Sequence, residues 1–174
     1  MLGLKRGTVK LVSYDRNWSK EFERERSRLL NILGGNVISI EHIGSTAIPR
    51  LRAKPLIDIL VGVKTIKKEG KKCLNLMSKK RGYHNRPKYF PKHRFLLAKG
   101  DGYTVTHYLH IVKYKGRAWN RSILFRDYLT SHKDEARRYV NLKESLASKY
   151  RNNRDMYTKS KMSYIDSVVA KARQ

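Results

Sequence analysis

Residues 41–63 read EHIGSTAIPRLRAKPLIDILVGV. The closing run, LIDILVGV (56–63), is continuously apolar except for one carboxylate, Asp58, which suits a strand at the centre of a covered sheet. A buried carboxylate without a partner is expensive, so Asp58 has either a partner or a task. Just upstream, NVISIEH (36–42) reads as a second strand, with Val37, Ser39 and Glu41 on one face and Ile38, Ile40 and His42 on the other. Gly44-Ser45 follows at once. Two neighbouring strands, a Gly-Ser turn and a basic link between Pro49 and Pro55 point to a sheet-based α+β or α/β fold.

Working outward, VKLV (9–12) is a short strand candidate. Trp18, Phe22, Leu29 and Leu33 fall on one face of a helix that Gly34-Gly35 closes. A lysine-rich helix is expected over 65–80, with Ile66, Leu74 and Met77 inward and Thr65 as its cap. HRFLLA (93–98) and 103–113 are strands around the turn Gly100-Asp101-Gly102. After Gly116 the pattern is helical, one helix starting at Trp119, Ile123 and Leu124, one carrying Tyr139, Leu142 and Leu146, and one carrying Ile165, Val168 and Val169. A single domain over 1–174 is expected, with a sheet-bearing core (1–116) and a helical layer (117–174).

The charge is far from balanced. Forty Lys and Arg face fourteen Asp and Glu among 174 residues, a formal +26, which calls for polyanionic company. The lone Cys73 excludes an internal disulfide and a cysteine-rich zinc site. No run approaches the ~18 apolar residues of a membrane span, and the N-terminus lacks the apolar region of a secretion signal. A cytoplasmic location is the expectation.

A Gly-Ser pair after a strand presents amides and a hydroxyl that suit a phosphate. Thr46 adds a second hydroxyl, Lys54 a nearby cation, and Arg94, on its own strand, a possible phosphate clamp. Together with Asp58 these describe a site for a nucleoside triphosphate and a divalent metal, Mg²⁺ or Mn²⁺. Glu41 and His110 are candidate metal ligands beside Asp58, and His110 is alternatively a general base. His107 points to the opposite strand face. The plainer alternative makes Gly44-Ser45 a simple turn and pairs Asp58 with Lys54.

These segments resemble the GrpB-like family of the nucleotidyltransferase-like superfamily. The likeness rests on EHIGSTAIPRLRAKPLIDILVGV, on PKHRFLLAKG (91–100) with THYLHIV (106–112), on WNRSILFRDYL (119–129), and on the spacing Arg154…Tyr157…Lys161. It spans roughly residues 8 to 172 and implies a nucleotidyltransferase-like fold, a short mixed sheet flanked by helices. It also implies that Tyr157 and Lys161 close the pocket from the C-terminal side. Active members of the superfamily carry two acids at i and i+2 on the strand after Gly-Ser, gripping a metal pair, with a third acid from another strand. Here Gly44, Ser45 and Asp58 match. The i+2 position is Leu60, and the strand 103–113 holds His107 and His110 but no acid.

Between Asp58 and Asp101 there are thirteen basic residues and one acid, Glu69. Lys67, Lys68, Lys71, Lys72, Lys79, Lys80 and Arg81 form a candidate nucleic-acid patch, with Tyr83, Tyr89 and Phe90 as stacking partners for RNA; the alternative is a solvated helix face. The leading expectation is a nucleotidyltransferase acting on a hydroxyl acceptor. The other is a catalytically silent nucleotide- or RNA-binding module.

Overall fold

The computed structural model describes residues 2–86 and 93–174. Its strands are β1 (Leu4–Lys5), β2 (Ser39–Ile43), β3 (Ile57–Val63), β4 (Tyr83–Asn85), β5 (Arg94–Gly100) and β6 (Thr104–Lys113). Its helices are α1 (Asn17–Leu33), α2 (Lys71–Ser78), α3 (Arg117–Ser131), α4 (Lys133–Lys149), α5 (Arg154–Lys159) and α6 (Met162–Lys171). The strands form one mixed sheet in the order β2-β3-β6-β5-β4, with β1 added at the start of β6. The oily run 57–63 is therefore central. It pairs antiparallel with β2, placing Ile43 opposite Asp58, and parallel with β6, placing Tyr108 opposite Asp58.

Alternation along β3 divides the sheet into two faces. Ile57, Ile59, Val61 and Val63 join Leu97, Leu109 and Ile111 under Trp18, Phe22, Leu29 and Leu33 of α1 and Cys73 and Met77 of α2. The apolar stripe expected on α1 is the stripe that is buried, and each such side chain contributes roughly 1.5–3 kcal/mol relative to exposure. Gly34, at φ 51°, ends that helix and returns its N–H to the Leu30 carbonyl. On the other face Leu60 packs with Ile43, Val112 and Trp119 of α3. Beyond the sheet, Ile48 and Leu51 of the link from β2 to β3 pack with Phe125, Leu129, Tyr139, Val168 and Val169 of the helical layer.

Some expectations needed correction. Residues 9–12 form no strand; Val12 makes only an isolated bridge to Ala53, while the N-terminal strand is the two-residue β1. The lysine-rich helix opens with a wide turn over Ile66–Gly70 before α2, and Thr65 caps it by accepting from the Lys68 N–H. The C-terminal third holds four helices rather than three. The extra one, α5, is six residues long, with only Met156 and Tyr157 as large apolar residues, too short for a helical period to register. Tyr89, Phe90, Pro91 and Lys92 lie outside the described residues.

The turn after β2 places the site. Gly44 adopts φ 72°, ψ −170°, a conformation that is essentially glycine's alone. Ser45–Ala47 form a single 3₁₀ turn, closed by the Ala47 and Ile48 N–H groups. A Cβ on Gly44 would stand 2.7 Å from Asp58 Oδ2. Gly44→Ala therefore strains the backbone and displaces the carboxylate together, a loss of about 2–3 kcal/mol. For a chain of this size that lowers the thermal midpoint by roughly 5–10 °C, readable by circular dichroism. Because the two residues share one contact, Gly44→Ala and Asp58→Ala should combine non-additively. An unshifted midpoint for Gly44→Ala would contradict the turn geometry.

Candidate functional site

Asp58 stands where the Gly-Ser turn meets the sheet. Its Oδ1 lies 3.3 Å from His110 Nε2, two residues along β6 on the same face. Burial works against the charge of Asp58, but the His110 contact and the Lys54 and Arg154 cations hold its carboxyl below the usual range. This acid is neither in a plain ion pair with Lys54 nor remote from the turn. His107 points the other way, as its place in the alternation requires. It is 4% exposed and contacts Thr106 Oγ1, and burial drives its imidazole down to about 3.

Basic and aromatic groups from the link and the helical layer surround the carboxylate. Lys161 Nζ lies 4.3 Å and Lys54 Nζ 5.2 Å from the centre of the buried Tyr157 ring. Arg154 donates to the Tyr108 hydroxyl at 2.6 Å, its guanidinium 4.7 Å from that ring centre. Lys143, 1% exposed, donates to the Arg52 carbonyl and lies 4.9 Å from the Tyr139 ring centre. The Ser45 hydroxyl adjoins the Tyr139 phenol, whose proton burial holds tightly.

Charge in this cluster is unbalanced. Among the described residues no carboxylate lies within 4 Å of Lys54, Lys143, Arg154 or Lys161. Burial, then repulsion from Arg154 and Lys161, pulls Lys54 well down. Burial lowers Lys161 to about 8 against the attraction of Asp58, and burial with repulsion from Lys161 lowers Lys143 to about 7. Like charges held together in a partly buried site repel one another far more than they would in water. Gathering Lys54, Arg154 and Lys161 around one acid, with Lys143 close behind, is thus a standing cost that an incoming anion relieves.

Several expected members are elsewhere. Glu41 shares the face of Asp58, but its Oε2 accepts from Arg126 at 3.0 Å and its Oε1 from Ser39. Thr46 is buried, and its hydroxyl donates to the Leu56 carbonyl. That hydroxyl must then accept from His42 Nε2 at 3.0 Å, so Thr46 fastens the turn and faces no phosphate. Arg94 pairs with Val112, four residues along β6 from the partner of Asp58, which is about 13 Å away. Burial and the nearby Arg121 lower the affinity of its guanidinium for its proton. It is Arg154, not Arg94, that stands beside Asp58.

The metal expectation fares likewise. Among the described residues no three His, Cys, Asp or Glu side chains are placed to hold a metal ion, so Asp58, Glu41 and His110 do not assemble as a ligand set. Leu60, in the i+2 position, is 1% exposed in the core with Trp119. One carboxylate among these cations is a poor donor set for Mg²⁺ or Mn²⁺, which favour several anionic oxygens.

Hollows of about 650 Å³ beside Tyr14, Arg16 and Pro49, and about 790 Å³ beside Leu11, Arg52 and Glu144, lie elsewhere on the surface. Lys67, Lys68, Lys71, Lys72, Lys79, Lys80 and Arg81 are all exposed, but α2 covers the face of the sheet opposite Asp58. The basic helix and the pocket are separate surfaces.

Sequence reasoning missed Tyr108, Tyr139 and Lys143 and gave Arg154 no role. Tyr108 was accessible, since it alternates with His110 on one strand face. Lys143 was not, because in NLKESLASK it looks like any solvated lysine.

Comparison with known proteins agrees with this architecture. Residues 8–171 match the family model described as GrpB protein. The chain is 40% identical to glutamate-rich protein GrpB of Alkalihalophilus pseudofirmus, over 97% of this chain and 98% of that one. It is 33% identical to UPF0157 protein YqkA of Bacillus subtilis, over 95% of this chain and 48% of that one. Among solved structures, the conserved protein GrpB from Enterococcus faecalis superposes with a TM-score of 0.83 at 33% identity, covering 94% of this chain and 96% of that one. The chain belongs to the GrpB family.

Proposed function

We propose that the pocket around Asp58 binds the polyphosphate chain of a nucleoside triphosphate. The observation that carries this reading is the convergence of Lys54, Arg154 and Lys161 on a single carboxylate beside the Gly44-Ser45 turn, with Lys143 behind Lys54 and Lys161. The surplus of positive charge suits a triphosphate better than a monoester, which carries at most two negative charges. Lys54, Arg154 and Lys161 receive the phosphate oxygens, Ser45 donates from the turn, and the Tyr157 ring supports both lysines.

The Asp58–His110 contact favours a second step in the same pocket, transfer of the nucleotidyl group to a hydroxyl acceptor. Asp58 orients the imidazole, and His110 takes the acceptor proton as the acceptor oxygen bonds to the α-phosphorus. The bond from that phosphorus to the bridging oxygen breaks, and pyrophosphate leaves with its charge spread over the cations. No part of this requires Glu41 or an acid at position 60.

Calorimetric titration with ATP or GTP tests the binding. Removing one charge-assisted contact costs about 1.5–3 kcal/mol, so Lys54→Ala and Lys161→Ala should each weaken binding roughly ten- to hundredfold. Unaltered affinity in both variants would remove the pocket from consideration. For the transfer step, label from an α-labelled triphosphate should appear in total cellular RNA or metabolites and vanish in His110→Asn.

The lysines also set a pH dependence. Lys161 faces Asp58, Arg154, Lys54 and the Tyr157 ring; Lys143 faces Lys161, Glu144, Arg52, Lys54 and Tyr139. Their folded values, about 8 and about 7, lie below the ~10.4 of an unfolded chain. The unfolded state therefore holds more protons between pH ~7 and ~10, and the ligand-free protein gains stability as pH rises through that window. Ligand affinity changes in the opposite sense, falling from pH 6.5 to 9 as the receptors lose their charge. Thermal midpoints and titrations at both pH values check the two trends, and Lys143→Met with Lys161→Met should flatten both.

A further inference from the structure

We infer that this pocket takes its polyphosphate as the free anion, uncomplexed by a divalent metal, with Lys54, Arg154 and Lys161 supplying the positive charge. The inference rests on the nucleotide-binding reading and specifies the form of the ligand.

Three features of the molecule support it. First, Asp58 lies within the field of Lys54, Arg154 and Lys161, the same cations that would repel a divalent ion placed on its oxygens. Second, the neighbouring positions on its face offer no free acid among the described residues. Glu41 is held at 3.0 Å by Arg126, which also donates to the His42 carbonyl at 2.9 Å, and position 60 is a core leucine behind Trp119. Third, the basic groups are braced for an anion. Lys54 and Lys161 lie against one buried ring, Arg154 is fixed by the Tyr108 hydroxyl, and Tyr108 and Tyr157 are 7% and 1% exposed. A metal–phosphate complex arrives with much of its negative charge already neutralised and would leave these groups undercompensated.

The low proton affinity of the ligand-free lysines fits the same arrangement, since burial and mutual repulsion cause it and a bound anion reverses it. On this account Asp58 is not a metal ligand. It is a counter-charge that holds the receptors together between ligands and orients His110, and toward a polyanion it is repulsive.

That repulsion gives the test a sign. ATP and inorganic tripolyphosphate are titrated calorimetrically into the intact protein in EDTA, and again with millimolar Mg²⁺ or Mn²⁺. Both probes should bind in EDTA, and either metal should weaken binding about three- to tenfold by sequestering the free anion. Asp58→Asn, which keeps the size of the side chain, should bind tripolyphosphate in EDTA severalfold more tightly than the parent. Lys161→Ala, folded by circular dichroism, should lose at least tenfold. Binding that appears only with a divalent ion, or that weakens in Asp58→Asn, overturns the inference and leaves the nucleotide pocket standing. No binding of either probe under any condition overturns both.

Discussion

The structure of the site follows from one electrostatic constraint: a carboxylate in the middle of an apolar strand needs positive charge close by, and here it receives more than it can neutralise. The sheet supplies the position. Asp58 alternates with Ile57 and Ile59, so it cannot join the core they form and must face the helical layer. The turn supplies closeness, because Gly44 has no side chain and the Asp58 oxygen occupies the space a Cβ would take. The link supplies Lys54, and the segment joining α4 to α6 supplies Arg154 and Lys161. A functional pocket therefore requires the sheet and the C-terminal helices to be packed together, and the link carrying Ile48 and Leu51 is buried between them.

The same alternation separates two basic regions that look continuous along the chain. The cations of α2 share a crossover with Cys73 and Met77, which pack on the α1 face of the sheet. That face has its own buried polar row: Tyr83, Lys99 and His107 are lateral neighbours across β4, β5 and β6, and Glu25 of α1 reaches down to pair with Lys99. There the positive charge meets an acid and the account balances locally. At Asp58 it does not. Net charge, shared by both faces, could not distinguish these cases; only the partners of each cation do.

How much of this could be read in the sequence depends on how local each cause is. The central strand, the α1 stripe, the glycine that ends α1, the Thr65 cap and the hairpin at Gly100–Gly102 are set by residues a few positions apart, and period or turn chemistry reveals them. The adjacency of Gly44, Asp58 and His110 was also legible, because two strand registers fix it. Lys143 and Tyr139 were hidden because they come from α4, and nothing in a helical repeat says which lysine a neighbouring helix will bury. Arg94 was placed at Asp58 for a similar reason. Strand alternation gives the face on which Arg94 stands but not its distance along the strand from Asp58, and that distance is set by the register of the hairpin. Thr46 was misread because a hydroxyl beside a Gly-Ser pair suits a phosphate and a backbone carbonyl equally well.

Leu60 shows why the missing second acid belongs to the design of this fold rather than to a defect in it. An acid two residues beyond Asp58 would share its face, yet that spot is filled by a tight cluster of Ile43, Val112 and Trp119. Trp119 also lies so near the strand that a Cβ on Gly62 would meet its ring at 2.6 Å. A carboxylate introduced there would be buried without a partner, at a cost of several kcal/mol. It would also have no path to an ion beside Asp58, because α3 covers it. Adding a ligand at position 60 would require displacing Trp119 and the helix that carries it. The positive charge brought by Lys54, Arg154 and Lys161 is available without disturbing that packing, since it enters from the link and the C-terminal helices. One carboxylate and several cations are thus the arrangement that the packing of Leu60 under Trp119 and the cations of the link and C-terminal helices permit together.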